Sequence, residues 1–228
     1  MSFAITFLAF GGEHINEFNQ TVKQLLEFNN DLNIYVVTNN KDLIDNQDIH
    51  IREINTPFNY NLKRKSFEFA FEDHNTVMYM DTDILFHKKP DFSYVDNVNE
   101  GMHIKWISGR TEYQGEIITI NDINQTDYGR LINNPNIMFI NEYLMVLRID
   151  NPDKRKLFTK TWDDLNNITI NHQPNNGYNG SLEGIIITAI CDKLNINIEC
   201  PRNDFFFNII NIGTINIHTK KKITKSII

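Results

Sequence analysis

Over the first eighty residues the hydrophobic pattern switches repeatedly between a continuous apolar run and the period of a helix, which restricts the fold more than any other feature of the chain. Phe3 to Phe10 is a continuous apolar run but for Thr6, the pattern of a strand covered on both faces. Gly11-Gly12 ends that run. Ile15, Phe18, Val22, Leu25 and Leu26 then recur at helical spacing and predict a helix from His14 to Asn29. Ile34 to Thr38 is β-branched and aromatic and predicts a second strand, and Ile49 to Ile54 alternates as a third, less buried one. A helix over Leu62 to Glu72 and a buried strand over Val77 to Met80 complete the series. Strands alternating with helices imply a parallel sheet with helices on both faces. The fold class is therefore α/β.

The second half is less regular. Short strands are expected at Met102 to Ile107 and Ile117 to Ile120, and a long apolar stretch, interrupted by Asn141 and Glu142, runs from Ile137 to Ile149. Helices are expected over Pro152 to Leu165, with Phe158 and Trp162 buried, and over Ser181 to Leu194, with Ser181 as N-cap. Further strands are expected at Ile196 to Glu199, Phe205 to Ile210 and Thr214 to Ile217, ahead of a basic tail. No internal repeat or linker divides the 228 residues, a length that suits one domain.

In open parallel sheets, ligands sit beyond the carboxyl ends of the strands. Those ends are Phe10-Gly11-Gly12, Thr38-Asn39-Asn40 and Asp81-Thr82-Asp83. The last closes the apolar run Val77 to Met80 and is followed by Ile84, Leu85 and Phe86. Two carboxylates at the end of a buried strand are costly unless something compensates their charge. A hard divalent cation does so, with phosphate oxygens as its other natural ligands.

These segments, taken in order, resemble the GT-A glycosyltransferases, nucleotide-sugar-dependent enzymes with a Rossmann-like half. FLAFGG resembles the loop bordering the nucleotide, and KRKSFEFAF followed by NTVMYMDTDILF is similar to the basic helix and Asp-x-Asp strand of that superfamily. INEYLMVLRIDN with FTKTW resembles the central strand and helix of the galactosyltransferase and glycogenin-like branch. That branch usually has Asn-Ser/Ala-Gly where this chain has Asn141-Glu142-Tyr143. NGSLEGIIITAI resembles the helix carrying an acceptor-side acid, and INIHTKKK the late segment with a metal-binding histidine and a phosphate-binding lysine.

The resemblance covers about residues 3 to 222. It implies one GT-A domain: a nucleotide-binding half over 1–100, an acceptor half over 101–218 and a basic tail over 219–228. It also implies Mn²⁺ or Mg²⁺, a nucleotide-sugar donor, with UDP as the nucleotide, and a glycan or glycoconjugate acceptor. The chemistry asks for the same groups. Negative charge develops on the leaving diphosphate, and a cation and lysines placed there stabilise the transition state more than the ground state.

Asp83 is expected to ligate the metal directly, and Asp81 to contact the metal, the ribose or both. His218, after the last apolar strand, is the third expected ligand. Donor contacts are expected from Phe10, Gly11, Asn39, Thr82, one of the lysines after His218 (Lys221 foremost), and Lys63 and Lys65. At about 100° per residue, Lys63, Arg64 and Lys65 diverge, so not all three reach the diphosphate or pair with Asp81. Glu183, in the first turn of an apolar helix, is the expected general base toward the acceptor hydroxyl, with Glu142 as its rival. Trp106, Tyr178 and Trp162 are the aromatic candidates for sugar stacking, Trp162 reading as core. His172, in the same loop as Tyr178, has no strong reading.

The net charge of −7 speaks against nucleic-acid binding. No apolar run approaches the roughly 18 residues of a membrane span, and MSFAITFLAFGG lacks the marks of a signal peptide. With two cysteines, Cys191 and Cys200, a reducing compartment is expected: the cytoplasm, or a host's if the source is viral. Asn and Ile exceed ordinary usage, as AT-rich codons produce, so the Asn-x-Ser/Thr matches at Asn19, Asn124, Asn167 and Asn179 are read as chance. The alternatives weighed are a haloacid dehalogenase-type phosphohydrolase and a non-catalytic sugar-binding domain of the same fold. The former needs a later acidic pair after a strand, whereas Asp163-Asp164 follows Trp162 inside a predicted helix. A sugar-nucleotide pyrophosphorylase would need a richer glycine loop than Gly11-Gly12-Glu13.

Overall fold

The computed structural model describes residues 2–104, 111–113, 116–118, 132–134, 140, 143–170, 182–201, 204–207 and 209–211. The protein is α/β, with a seven-stranded, mostly parallel sheet. The chain divides into two compact units, Met1–Asn97 with Asn203–Ile228, and Val98–Arg202.

In the first unit, β1 (Phe3–Ala9) is buried along its whole length. It pairs in parallel with β2 (Asn33–Thr38), from Ala4↔Asn33 to Ala9↔Thr38, and with β4 (Thr76–Met80), from Phe3↔Thr76 to Thr6↔Tyr79. β3 (His50–Glu53) adds to the outer side of β2 and is only half-buried or exposed, as its alternating sequence predicts. Thr6 and Phe7 are neighbours in β1 and so point to opposite faces. Phe7 meets Phe18 of α1 (Gly11–Phe28) edge-on at 5.1 Å, and the Thr6 hydroxyl donates to the Ser66 carbonyl of α2 (Lys63–Ala70) at 3.0 Å. The two helices thus cover the two faces of these strands.

α1 starts at Gly11, three residues before the predicted start. Gly11 has φ +79° with open space around it, so it turns the chain from strand to helix without an intervening loop. The apolar stripe Ile15, Phe18, Val22 and Leu25 is buried as its spacing requires.

Beyond β4 the chain forms β5 (Ile84–Phe86) and the short α3 (Ser93–Asp96). Near the other end of the sequence, Asp204–Phe207 is a helical turn and Ile209–Asn211 a strand antiparallel to β5. The strand expected over Phe205 to Ile210 is thus corrected to a turn followed by a shorter strand. A strand would send adjacent rings to opposite faces. The helical turn instead puts both into one aromatic cluster, Phe205 lying 5.9 Å from Phe86 and Phe206 lying 5.7 Å from Tyr94.

In the second unit, β6 (Gly101–Ile104) lies antiparallel to β9 (Leu144–Arg148) and parallel to β10 (Ile198–Glu199). β7 (Thr111–Tyr113) and β8 (Glu116–Ile118) form a separate antiparallel pair. Gly101 has φ +148°, and a Cβ there would lie 2.8 Å from the Asn197 carbonyl oxygen, so β10 reaches β6 only past a glycine. Two helices follow β9: α4 (Pro152–Ile170) and α5 (Leu182–Lys193). The Asn151 side chain caps α4 by accepting from the Asp153 and Lys154 amides. Trp162 is fully buried, edge-on to Phe158 at 5.8 Å, and is therefore core rather than a sugar platform. The predicted cap Ser181 and the strand at Thr214 to Ile217 lie outside the described residues. Among the described residues, no helix is long and apolar enough to cross a membrane.

Candidate functional site

The carboxyl end of β4 gathers the strongest constellation in the first unit. Tyr79 is buried in β4, and Asp81, two residues on, emerges on the same side. The Tyr79 hydroxyl donates to Asp81 Oδ1 at 2.9 Å, and Lys63 Nζ approaches the same oxygen at 3.1 Å. Lys63 Nζ also lies 5.1 Å from the centre of the Tyr79 ring, which in turn stacks on Phe67. The Lys63 side chain is only 7% exposed, against 32% for Asp81. A buried cation in the first turn of a helix opposes both solvation and the helix dipole. The carboxylate and the ring face supply what water and the dipole do not.

The next residues are held from the other helix. Thr82 is buried, and its hydroxyl donates to Glu17 Oε2 at 3.3 Å. Its carbonyl accepts from the Thr21 hydroxyl at 2.8 Å. Asp83 is half-buried. The Asp81 carbonyl accepts from the Ile84 amide at 3.3 Å, closing the turn.

The other basic residues of α2 are engaged differently. Arg64 and Lys65 both reach Glu68 Oε2 at 3.0 Å. Burial works to raise the Glu68 pKa, but hydrogen bonding and the charges of Lys65 and Arg64 outweigh it and hold the carboxyl below its usual range. Of the basic residues Lys63 and Lys65, the structure brings only Lys63 to Asp81.

At the ends of β1 and β2, the Gly11 amide donates to Asn39 Oδ1 at 3.0 Å. Phe10 is buried, with the exposed ring of Phe58 5.9 Å away and His14 6.3 Å from Phe58. Sequence reasoning passed over Phe58. The available signal was an aromatic isolated among turn-forming residues, in Asn55-Thr-Pro-Phe58-Asn. It also passed over Glu17 and Thr21, which read only as the polar side of α1.

Glu183 lies in the first turn of α5, in the second unit, and its side chain is outside the described residues. Glu142, His218, Lys221, Trp106, Tyr178 and His172 are also outside them. Asp163 and Asp164 lie inside α4. Cys191 is buried, and burial pushes the Cys200 thiol up to about 11, so neither offers a thiolate at neutral pH.

Among the described residues, no group of three or more His, Cys, Asp and Glu side chains is placed to hold a metal ion. The turn offers two carboxylates, Asp81 and Asp83, both partly exposed. These hard oxygen donors fit Mg²⁺ or Mn²⁺, which complete their shells with phosphate oxygens and water.

The fold defined by these elements is that of the GT-A glycosyltransferases. Three solved structures show the likeness. The galactosyltransferase LgtC, in complex with donor and acceptor sugar analogs, matches with a TM-score of 0.51 at 13% identity, over 82% of this chain and 70% of its own. A glycosyltransferase involved in glycosylation of the major capsid of PBCV-1 matches with a TM-score of 0.51 at 10% identity, over 98% of this chain and 99% of its own. GlyE of Streptococcus pneumoniae TIGR4, a glycosyltransferase in its apo form, matches with a TM-score of 0.51 at 11% identity. That match covers 87% of this chain but only 45% of GlyE. No protein-family model and no curated protein matches the sequence.

Proposed function

We propose that the protein is a metal-dependent glycosyltransferase. It would move a hexosyl or deoxyhexosyl group from a nucleoside diphosphate sugar, with UDP as the nucleotide, to a hydroxyl of a glycan or glycoconjugate. The observation that carries this reading is Asp81-Thr82-Asp83 at the end of a buried parallel strand, with the buried Lys63 ammonium on Asp81. Its setting is a fold whose solved examples include a galactosyltransferase bound to donor and acceptor analogs.

In this proposal Asp83 and Asp81 hold Mn²⁺ or Mg²⁺, with His218 as a further ligand. Bound there, the cation supplies positive charge to the leaving diphosphate. Lys63 holds Asp81 in place and, with Lys65 and Lys221, adds positive charge on the diphosphate side. Phe10, Gly11, Asn39 and Thr82 border the donor. Glu183 takes the proton of the attacking hydroxyl, and Glu142 is the alternative base if the strand acid carries that role. The reaction belongs to the cytoplasm in this reading, supported by the sequence's two-cysteine economy.

A thermal-shift titration tests the reading. UDP should raise the melting temperature in Mn²⁺ and leave it unchanged in EDTA, since a ligand that binds the native state stabilises it by mass action. No stabilisation by any nucleoside diphosphate with Mn²⁺, or equal stabilisation in EDTA, would overturn the metal-dependent donor site.

A further inference from the structure

α1 carries a row of polar side chains beside its apolar stripe. Glu17, Thr21 and Gln24 follow one another by four and three residues and so share one face of the helix. Thr21 is fully buried and Gln24 is 7% exposed. Polar groups this deep are costly unless hydrogen-bonded, and all of their described bonds run to a single short stretch of chain.

The Thr21 hydroxyl lies 2.8 Å from the Thr82 carbonyl and 3.1 Å from the Ile84 carbonyl. The Gln24 side-chain amide donates to the Phe86 carbonyl at 3.0 Å and accepts from the Phe86 amide at 2.8 Å. Glu17 accepts from the Thr82 hydroxyl and also pairs with His14 at 3.2 Å. Residues 82, 84 and 86 alternate along one edge of the chain, and the helix supplies that edge with the partners a neighbouring strand would provide. A helix that needed only to cover the sheet would carry apolar residues at these positions. Here it grips the backbone between and beyond the two carboxylates.

We propose that Glu17, Thr21 and Gln24 are positioning residues that set Asp81 and Asp83 for the cation, with the Thr21 hydroxyl as the central hold. This rests on the metal-dependent reading above. Groups that orient a metal's ligands typically change its affinity 10–100-fold when removed.

The test is Mn²⁺ binding measured by electron paramagnetic resonance of the free ion, with UDP present, alongside melting temperature. Thr21→Val keeps the side-chain volume and removes the hydroxyl. It should weaken Mn²⁺ binding about tenfold or more, and Thr21→Ser should restore it to within about threefold of wild type. A role in stability alone would lower the melting temperature of Thr21→Val and leave the affinity within about threefold; that result overturns the proposal. Should Thr21→Val fail to fold, Glu17→Ala, nearer the surface, decides. A loss beyond about threefold supports the proposal and a smaller one overturns it. If wild type itself binds neither Mn²⁺ nor UDP, the metal-dependent reading falls as well. If wild type binds both and the variants match it, only the positioning role falls.

Discussion

The carboxyl ends of β2 and β4 flank β1 from its two sides and carry polar residues of similar size, yet they spend them differently. At the end of β2 the groups are neutral, and they bond to backbone amides at and beside the strand ends. Asn39 accepts from the Gly11 amide, Asn40 caps the short turn Lys41–Leu43 through the Asp42 amide, and Thr38 accepts from the Asn40 amide. At the end of β4 they are carboxylates: Asp81 is met by Lys63 of α2 and by Tyr79 of β4 itself, while Thr21 and Glu17 of α1 bond Thr82 between the two acids. A joint satisfies its own backbone. The acidic turn keeps its charge, and side chains from both helices reach it to stabilise it.

Replacing the charge at β4 should have the largest effect. Asp83→Ala is expected to weaken UDP binding in Mn²⁺ by about 100-fold or more, with the melting temperature of the free protein little changed; isothermal titration calorimetry reads this directly. Asp83→Asn should fail nearly as badly, because a neutral amide lacks the charge a hard cation needs. Wild-type affinity in either would erase the distinction between the two strand ends.

Lys63→Met should come next. It leaves Asp81 without its ammonium partner, and because Asp81 is about a third exposed the cost is smaller than for a fully buried pair, about 1–3 kcal/mol by urea unfolding. A neutral effect would mean that Tyr79 alone suffices for Asp81.

Asn39→Ala should do least. Loss of the bond to the Gly11 amide is expected to cost about 0.5–1 kcal/mol of stability and to change UDP affinity less than about threefold, a shift below roughly 0.7 kcal/mol. A tenfold loss of affinity would instead make Asn39 a principal rather than a bordering donor contact and bring the two ends closer in function.

Much of this contrast is legible in the residues themselves. Continuous apolar runs mark β1, β2 and β4 because those strands are covered on both faces, and the acids that end β4 stand out against that run. The basic start of α2 points to Asp81, although which of its cations arrives there depends on helix phase and on Glu68, which engages Arg64 and Lys65. β5 is not legible. Three residues carry no period, and its bonds go to α1 side chains and to a strand far along the chain. Thr21 and Gln24 escaped notice for the same reason: a polar residue in a helix reads as solvated until its partner's position is known. The turn at Asp204–Phe207 was hidden because adjacent phenylalanines suit a strand as well as a helix in isolation.

The pairing of Ile209–Asn211 with Ile84–Phe86 also orders events during synthesis. About 125 residues separate Phe86 from Asn211, so at roughly 5–20 residues per second the ribosome makes the second strand about 6–25 s after the first. Through that interval β5 has one edge waiting for a partner not yet translated. α1 precedes it in the chain and is already made, so Thr21 and Gln24 are in place to hold the other edge. The nascent protein therefore has the means to set its acidic turn well before the strand that pairs with β5 exists.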